Sequence, residues 1–288
     1  MLNGTQDFTI EDLEYCRHGD TPLMMRLFRP KGDGPFPVII DLHGGAWNTG
    51  DLSGCQVRGE VLVKAGFAVA AVDFRQGADR YPASSADINY AIRWIKAHSD
   101  ELRLDAARVG LSGQSSGGHL AALAAMRPHD PRYSAIPLDG DATTDANIDA
   151  AVLCVAMEWP VINPLSRYHH AQRALKNPDT AEWVGRIPEY HDTYWVDEAT
   201  MREGNPMLAL ERGEDVKTPP ALWLQGGPDI VHDYFDADSG QDLNEPDRFA
   251  KNYRNAGGEI DIVRVPQDTR SEPASFEHLV PFFNKHLG

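Results

Sequence analysis

The chain has 288 residues, 42% of them hydrophobic, enough to bury a sizeable core in a single domain. Its 43 acidic and 27 basic residues leave a net charge of −16, with no Lys/Arg block against that excess. Such a surface repels phosphate backbones and anionic lipid, so the reading excludes nucleic acid and membrane as partners, and no apolar run approaches bilayer-spanning length.

In chain order, Met1 to Asp7 has neither a basic start nor an apolar stretch, which predicts no secretory leader. Strand-like runs follow at 23–29, 37–42, 67–74, 108–113 and 150–157, alternating with helical ones. That alternation predicts an α/β fold with a mostly parallel sheet and helices on both faces. The clearest helix runs from Ser85 to Ser99, with Ile88, Ala91, Ile92 and Ile95 on one face. Residues 158–212 break the alternation, scattering Trp159, Tyr168, Trp183, Tyr190, Tyr194 and Trp195 among prolines and charges. They read as a cap-like insertion within a single domain of residues 1–288, or as a surface excursion whose aromatics pack on that domain. Two late strands, at 220–225 and 258–265, precede a closing helix around Val280, Phe283 and Leu287.

Cys16, Cys55 and Cys154 are odd in number and widely spaced, which predicts free thiols in a reducing cytoplasm. His169 and His170 are adjacent, not spaced for one helix face, so no metal site is predicted.

The chemistry concentrates in Gly113-Gln114-Ser115-Ser116-Gly117, between an apolar strand and the helical run Leu120, Ala121, Leu123, Ala124. A Gly-x-Ser-x-Gly turn between strand and helix forces the serine into a strained conformation, lifts its hydroxyl clear of the sheet and leaves the next N–H free. Only Ser115 fits; Ser112 and Ser116 each meet Gln114 where a glycine is required. Upstream, His43-Gly44-Gly45-Ala46-Trp47 follows a strand. Its glycines let backbone N–H groups approach a ligand, so Gly44 and Gly45 can join Ser116 as donors to a developing oxyanion. His43 itself reads as a hydrogen-bonding strut for the loop.

With these motifs, Asp73-Phe74-Arg75 and Tyr81-Pro82, the chain resembles the α/β-hydrolases, and among them the hormone-sensitive-lipase-like and acetyl-esterase/arylformamidase group. The likeness runs from about residue 23 to the end. It implies a doubly covered sheet and a nucleophile, acid and base in the order Ser, Asp, His. The acid then falls at Asp229, in a Gly226-Gly227-Pro228-Asp229 turn after a late strand, with Asp233, Asp236 and Asp238 as competitors. The base falls at His278, after the last strand, although relatives usually show His-Gly-Phe where this chain has His278-Leu279-Val280.

The resemblance implies a carboxylesterase that needs no cofactor and cleaves small or medium esters through Ser115, His278 and Asp229. Trp47, Trp159 and Trp195 are the aromatics expected to wall the substrate, Trp195 reading equally as a packed side chain. An arylformamidase would use the same apparatus, and some proteins of this fold only bind small molecules, so both stand as alternatives. The sequence leaves monomer and homodimer open.

Overall fold

The computed structural model describes residues 7–138 and 148–288, so part of the segment read for a leader lies outside the described residues. Among the described residues one sheet has the strand order β1-β2-β4-β3-β5-β6-β7-β8. The strands are β1 (Phe8–His18), β2 (Thr21–Pro30), β3 (Phe36–Leu42), β4 (Ala68–Val72), β5 (Leu104–Gln114), β6 (Cys154–Glu158), β7 (Ala221–Gly227) and β8 (Ile260–Pro266). β1 and β2 form an antiparallel hairpin and β2 runs antiparallel to β4; every later pairing is parallel.

The parallel strands are apolar because helices cover both of their faces. β4, Ala-Val-Ala-Ala-Val, is buried throughout. The main helices are α1 (Gln56–Lys64), α2 (Ala83–Ala97), α3 (Ser116–Met126), α4 (Pro164–Leu175), α5 (Ile187–Trp195), α6 (Glu198–Glu203), α7 (Pro206–Glu211), α8 (Glu245–Asn255) and α9 (Leu279–Leu287). One core layer gathers Ile88, Ile92 and Ile95 of α2 with Trp47, Tyr194 and Trp195; the other gathers Leu62, Trp159, Phe276 and Phe283. α4 to α7 fill the 158–212 segment. Tyr194, Trp195, Met201 and Met207 from it belong to the first layer, so its aromatics pack into the body of the domain.

β1 escaped the sequence reading because it is an edge strand. Most of its residues are exposed or half-buried, and it is held by its ladder to β2, not by an alternating apolar face. β6 also starts later than expected, at Cys154 instead of Ala150.

The strand order reverses around β3, whose neighbours are β4 and β5, and such a switch point opens a crevice at the carboxyl ends of the strands. Leu42 of β3 pairs with Gly113 of β5, so the His43-Gly44-Gly45 loop and the Ser115 turn leave the sheet side by side. Beneath them lies a fully buried ionic cluster. Arg58 of α1 donates from Nε to Asp41 Oδ1 at 2.7 Å, from Nη2 to the Leu42 carbonyl at 3.3 Å and from Nη1 to Gln114 Oε1 at 3.3 Å. Its Nη1 also lies 3.4 Å from Glu158 Oε2. Ser112 Oγ donates to Glu158 Oε1 at 2.9 Å.

Removing one partner from a buried ion cluster strands the others. Arg58→Met is expected to destabilise the protein by about 3–5 kcal/mol in denaturant unfolding, far above the cost of cutting an exposed pair such as Arg17–Glu14. The cluster sets two carboxylates against one guanidinium. Burial, helped by the Asp41 charge and opposed by Arg58, pushes the Glu158 carboxyl up to about 8. A raised carboxyl disfavours the folded state as pH climbs from its unfolded value of 4.5 through 8. Melting curves should therefore show wild type losing Tm across that window relative to Glu158→Gln.

Candidate active site

Ser115 sits between β5 and α3 with φ 55° and ψ −116°, a conformation costing roughly 1–3 kcal/mol that the surroundings must impose. They impose it through three backbone bonds. Ser115 N–H donates to the Glu158 carbonyl at 2.9 Å, and the Ser115 carbonyl accepts from His119 and Val161 N–H, each at 3.1 Å. The flanking glycines are steric necessities. A Cβ on Gly113 would strike the Gly117 carbonyl, and one on Gly117 would strike those of Leu42 and His43.

The Ser115 hydroxyl meets His232, with Oγ 3.1 Å from Nε2. His232 Nδ1 lies 2.8 Å from Asp229 Oδ2, which makes Nδ1 the donor and leaves Nε2 to accept from the serine. The Asp229 Oδ1 atom accepts from the backbone N–H of Val231 at 3.0 Å and of His232 at 3.3 Å. That turn folds the histidine back over its own aspartate, which sits where the sequence placed it, at the end of β7. Contact with His232, Arg270 and the loop amides outweighs burial and holds the Asp229 carboxyl down to about 2. Burial lowers His232 to about 4, against the pull of Asp229, so the imidazole is neutral at ordinary pH.

The histidine expected from the sequence does not meet the serine. His278 is exposed on the first residue before α9, already in helical conformation (φ −63°, ψ −20°), because buried Phe276 and Leu279 on either side turn it to solvent. Arg270, beyond β8, reaches Asp229 Oδ2 instead, at 3.1 Å. The available signals were the short Asp229-Ile230-Val231-His232 spacing and the missing His-Gly-Phe after β8.

Gly44 and Gly45 line a cavity of about 540 Å³ together with Ser115, His43, Asp51, Arg270 and Phe276. Among the described residues no backbone carbonyl takes the N–H of Gly44 or Gly45. Ser116 opens α3, where a first-turn N–H has no acceptor within the helix. His43 is the strut the sequence suggests, with Nδ1–H donating to the Gly44 carbonyl at 2.7 Å and the ring stacked on Phe74.

The three tryptophans do not wall this cavity. Trp47 and Trp195 are buried in a cluster with Tyr194 and His119, and Trp47 Nε1–H donates to His119 Nδ1 at 3.1 Å. The other His119 nitrogen donates to the Gly204 carbonyl at 2.8 Å, pinning the insertion to the serine's helix. Trp159 is buried beneath the Arg270 guanidinium, 4.6 Å from its ring centre. Among the described residues of 159–212, none is in the lining of this Ser115 cavity. Among the described residues no group of three metal-ligating side chains occurs; His169 is held between Glu198 and Asp238 and His170 is stacked on Tyr234.

The model of the BD-FAE family matches residues 25–231, most of the chain. The chain belongs to that family. It is 33% identical over 266 residues to an ethyl acetate hydrolase of Pseudomonas putida, covering 89% of this chain and 73% of that one. It is 32% identical over 157 residues to the probable carboxylic ester hydrolase LipM of Mycobacterium tuberculosis and 28% identical over 222 residues to esterase LipC of the same organism. Those matches cover 53% and 74% of this chain but 36% and 50% of the relatives, so the chain spans half or less of the length of these two. Among solved structures, carboxyl esterase 2 of Tuber melanosporum superposes with a TM-score of 0.72 at 20% identity, covering 99% of this chain and 90% of that one. The thermophilic carboxylesterase EstE1 from a metagenomic library gives 0.71 at 19% identity, over 98% and 91% of the two chains. The fold is that of the α/β-hydrolases.

The serine's environment is directly testable. Ser115 should react with a fluorophosphonate probe, and intact-mass spectrometry of His232→Ala should show labelling slowed by about 10³-fold or more while His278→Ala labels like wild type.

Proposed function

We propose that this protein is a serine carboxylesterase. The observation that carries the reading is the hydrogen-bonded chain Ser115 Oγ, His232 Nε2, His232 Nδ1, Asp229 Oδ2, with Gly44 and Gly45 lining the same cavity as Ser115. The relatives named as ester hydrolases support it.

In this reading Ser115 Oγ attacks the ester carbonyl carbon as His232 Nε2 takes its proton. The oxygen gains a negative charge and is met by the N–H groups of Gly44, Gly45 and Ser116. Collapse breaks the bond to the alcohol, which leaves with the proton from His232. Water then attacks the acyl-serine by the same route, releases the acid and restores the hydroxyl. Asp229 keeps Nδ1 protonated and balances the imidazolium formed in each half-reaction. These steps need no cofactor. The three cysteines, all free and buried, fit a reducing cytoplasm, and no helix among the described residues is long and apolar enough to cross a membrane.

A p-nitrophenyl ester series from acetate to decanoate tests this. Ser115→Ala and His232→Ala should each lose about 10⁴-fold or more in kcat, and His278→Ala should stay within about twofold of wild type. Inactivity of wild type on every ester would sink the reading, and turnover of a formanilide in its place would turn it to amide cleavage. The base must be neutral to act, so kcat/KM should rise with pH through about 4 and be level by neutrality, instead of rising near the 6.5 of an ordinary histidine.

A further inference from the structure

Arg270 stands just beyond β8 on the wall of the Ser115 cavity, and its partners leave most of its binding capacity unused. Among the described residues its one side-chain hydrogen bond runs from Nη1 to Asp229 Oδ2 at 3.1 Å. Asp229 does not need it, because that carboxylate already accepts from Val231 N–H, His232 N–H, His232 Nδ1–H and Gln225 Nε2–H. A guanidinium carries five N–H donors in a rigid fork. Among the described residues, Nε and Nη2 of Arg270 have no hydrogen-bond partner, and neither is among the buried unpartnered atoms, so both keep access to solvent on a side chain that lines the cavity. The Trp159 indole lies beneath the group, its ring centre 4.6 Å away, and holds it by a cation–π contact.

The surrounding charge has the same sign. Arg167 is buried with Nε and Nη1 unpartnered, and it interacts electrostatically with Asp229, His232 and Arg270. Two guanidinium charges thus act on one carboxylate near His232, in a protein whose net charge is −16. Asp51, the acidic residue on the cavity rim, is exposed and engaged with the Ser53 N–H. His43, the other titratable group there, is held neutral by burial.

We propose that Arg270 selects esters that carry a carboxylate, its Nε–Nη2 edge binding the anionic group while Ser115 attacks the ester carbonyl. The proposal rests on the esterase reading and names its substrate class. A carboxylate takes that edge in a paired, charge-assisted arrangement that a neutral ester cannot offer. Asp51 steers the negative group away from the opposite rim.

The test compares matched esters in a pH-stat: monoethyl glutarate against ethyl pentanoate, with the carboxylate on the acyl side, and 4-acetoxybutanoate against pentyl acetate, with it on the alcohol side. In one pair or both, wild type should favour the anionic ester by about ten- to a hundredfold in kcat/KM, the range of one charge-assisted contact. Arg270→Gln should lose that preference through KM, Arg270→Lys should keep part of it, and 0.5 M salt should shrink it. Wild type favouring the neutral ester in both pairs, or Arg270→Gln keeping the preference, overturns the proposal while ester hydrolysis stands. Calorimetry on Ser115→Ala separates the two readings further. Binding of monoethyl glutarate that Arg270→Gln abolishes, in a protein that cleaves neither these four esters nor the p-nitrophenyl series, supports the anion site and overturns the esterase.

Discussion

The site depends on one buried arginine. Arg58 binds the Asp41 side chain and the Leu42 carbonyl at the end of β3, the Gln114 side chain at the end of β5, and approaches Glu158 at the end of β6. The His43-Gly44-Gly45 loop, the Ser115 turn and the Trp159 turn leave the sheet from those three strand ends. A guanidinium can bridge them because its donors lie in one plane and point in different directions. Apolar packing would fill the same space without fixing the relative heights of three loops. Placing two carboxylates around one cation costs stability, and what it secures is the carbonyl of Glu158, which receives the Ser115 N–H and holds the strained serine.

Strain at Ser115 and orientation at His232 are solved differently. The serine is held by strands, whereas the histidine is held by its own loop, three residues past the aspartate it contacts. Two backbone N–H groups from that loop bind the other oxygen of Asp229, so carboxylate and imidazole form one hydrogen-bonded unit just past β7. The consequence lies at β8. With the histidine supplied from β7, the segment after β8 carries Arg270 to the same carboxylate and cavity, and a cation stands at the wall of the pocket.

The fold was legible in the sequence wherever burial enforces periodicity: β3, β4, β5, β7 and α2 stand within a few residues of where their apolar runs predict them. Ser115 was legible because only glycine tolerates the carbonyl contacts around Gly113 and Gly117, and the glycine loop because a Cβ on Gly45 would strike the Thr49 carbonyl. β1 was not, since an edge strand is stabilised by its backbone ladder and needs no apolar alternation. The histidine was misplaced for a different reason. Chain order alone allows any histidine after Asp229, and the choice between His232 and His278 turns on loop geometry that no periodicity encodes. Trp47, Trp159 and Trp195 misled because a large aromatic in an irregular segment carries no mark of which way it faces; here Trp47 lies beneath the aromatics of α5, with its N–H spent on His119.

The tryptophans' burial bears on how the pocket discriminates. A cavity walled by aromatics would sort esters by apolar area, where each methylene adds only about 0.8 kcal/mol and neighbouring chain lengths are poorly resolved. This cavity is bounded instead by glycine backbone, His43, Asp51, Ser53 and Arg270, with Val57 and Phe276 as its apolar side chains. Such a wall discriminates by charge and hydrogen bonding, because a polar group left unmatched inside it costs more than a missing methylene. The insertion that could have supplied an apolar roof is committed elsewhere, its Gly204 carbonyl bound to His119 on the serine's own helix. It braces the Ser115 turn through the serine's own helix, and in the esterase reading proposed above recognition falls to the loops after β3 and β8.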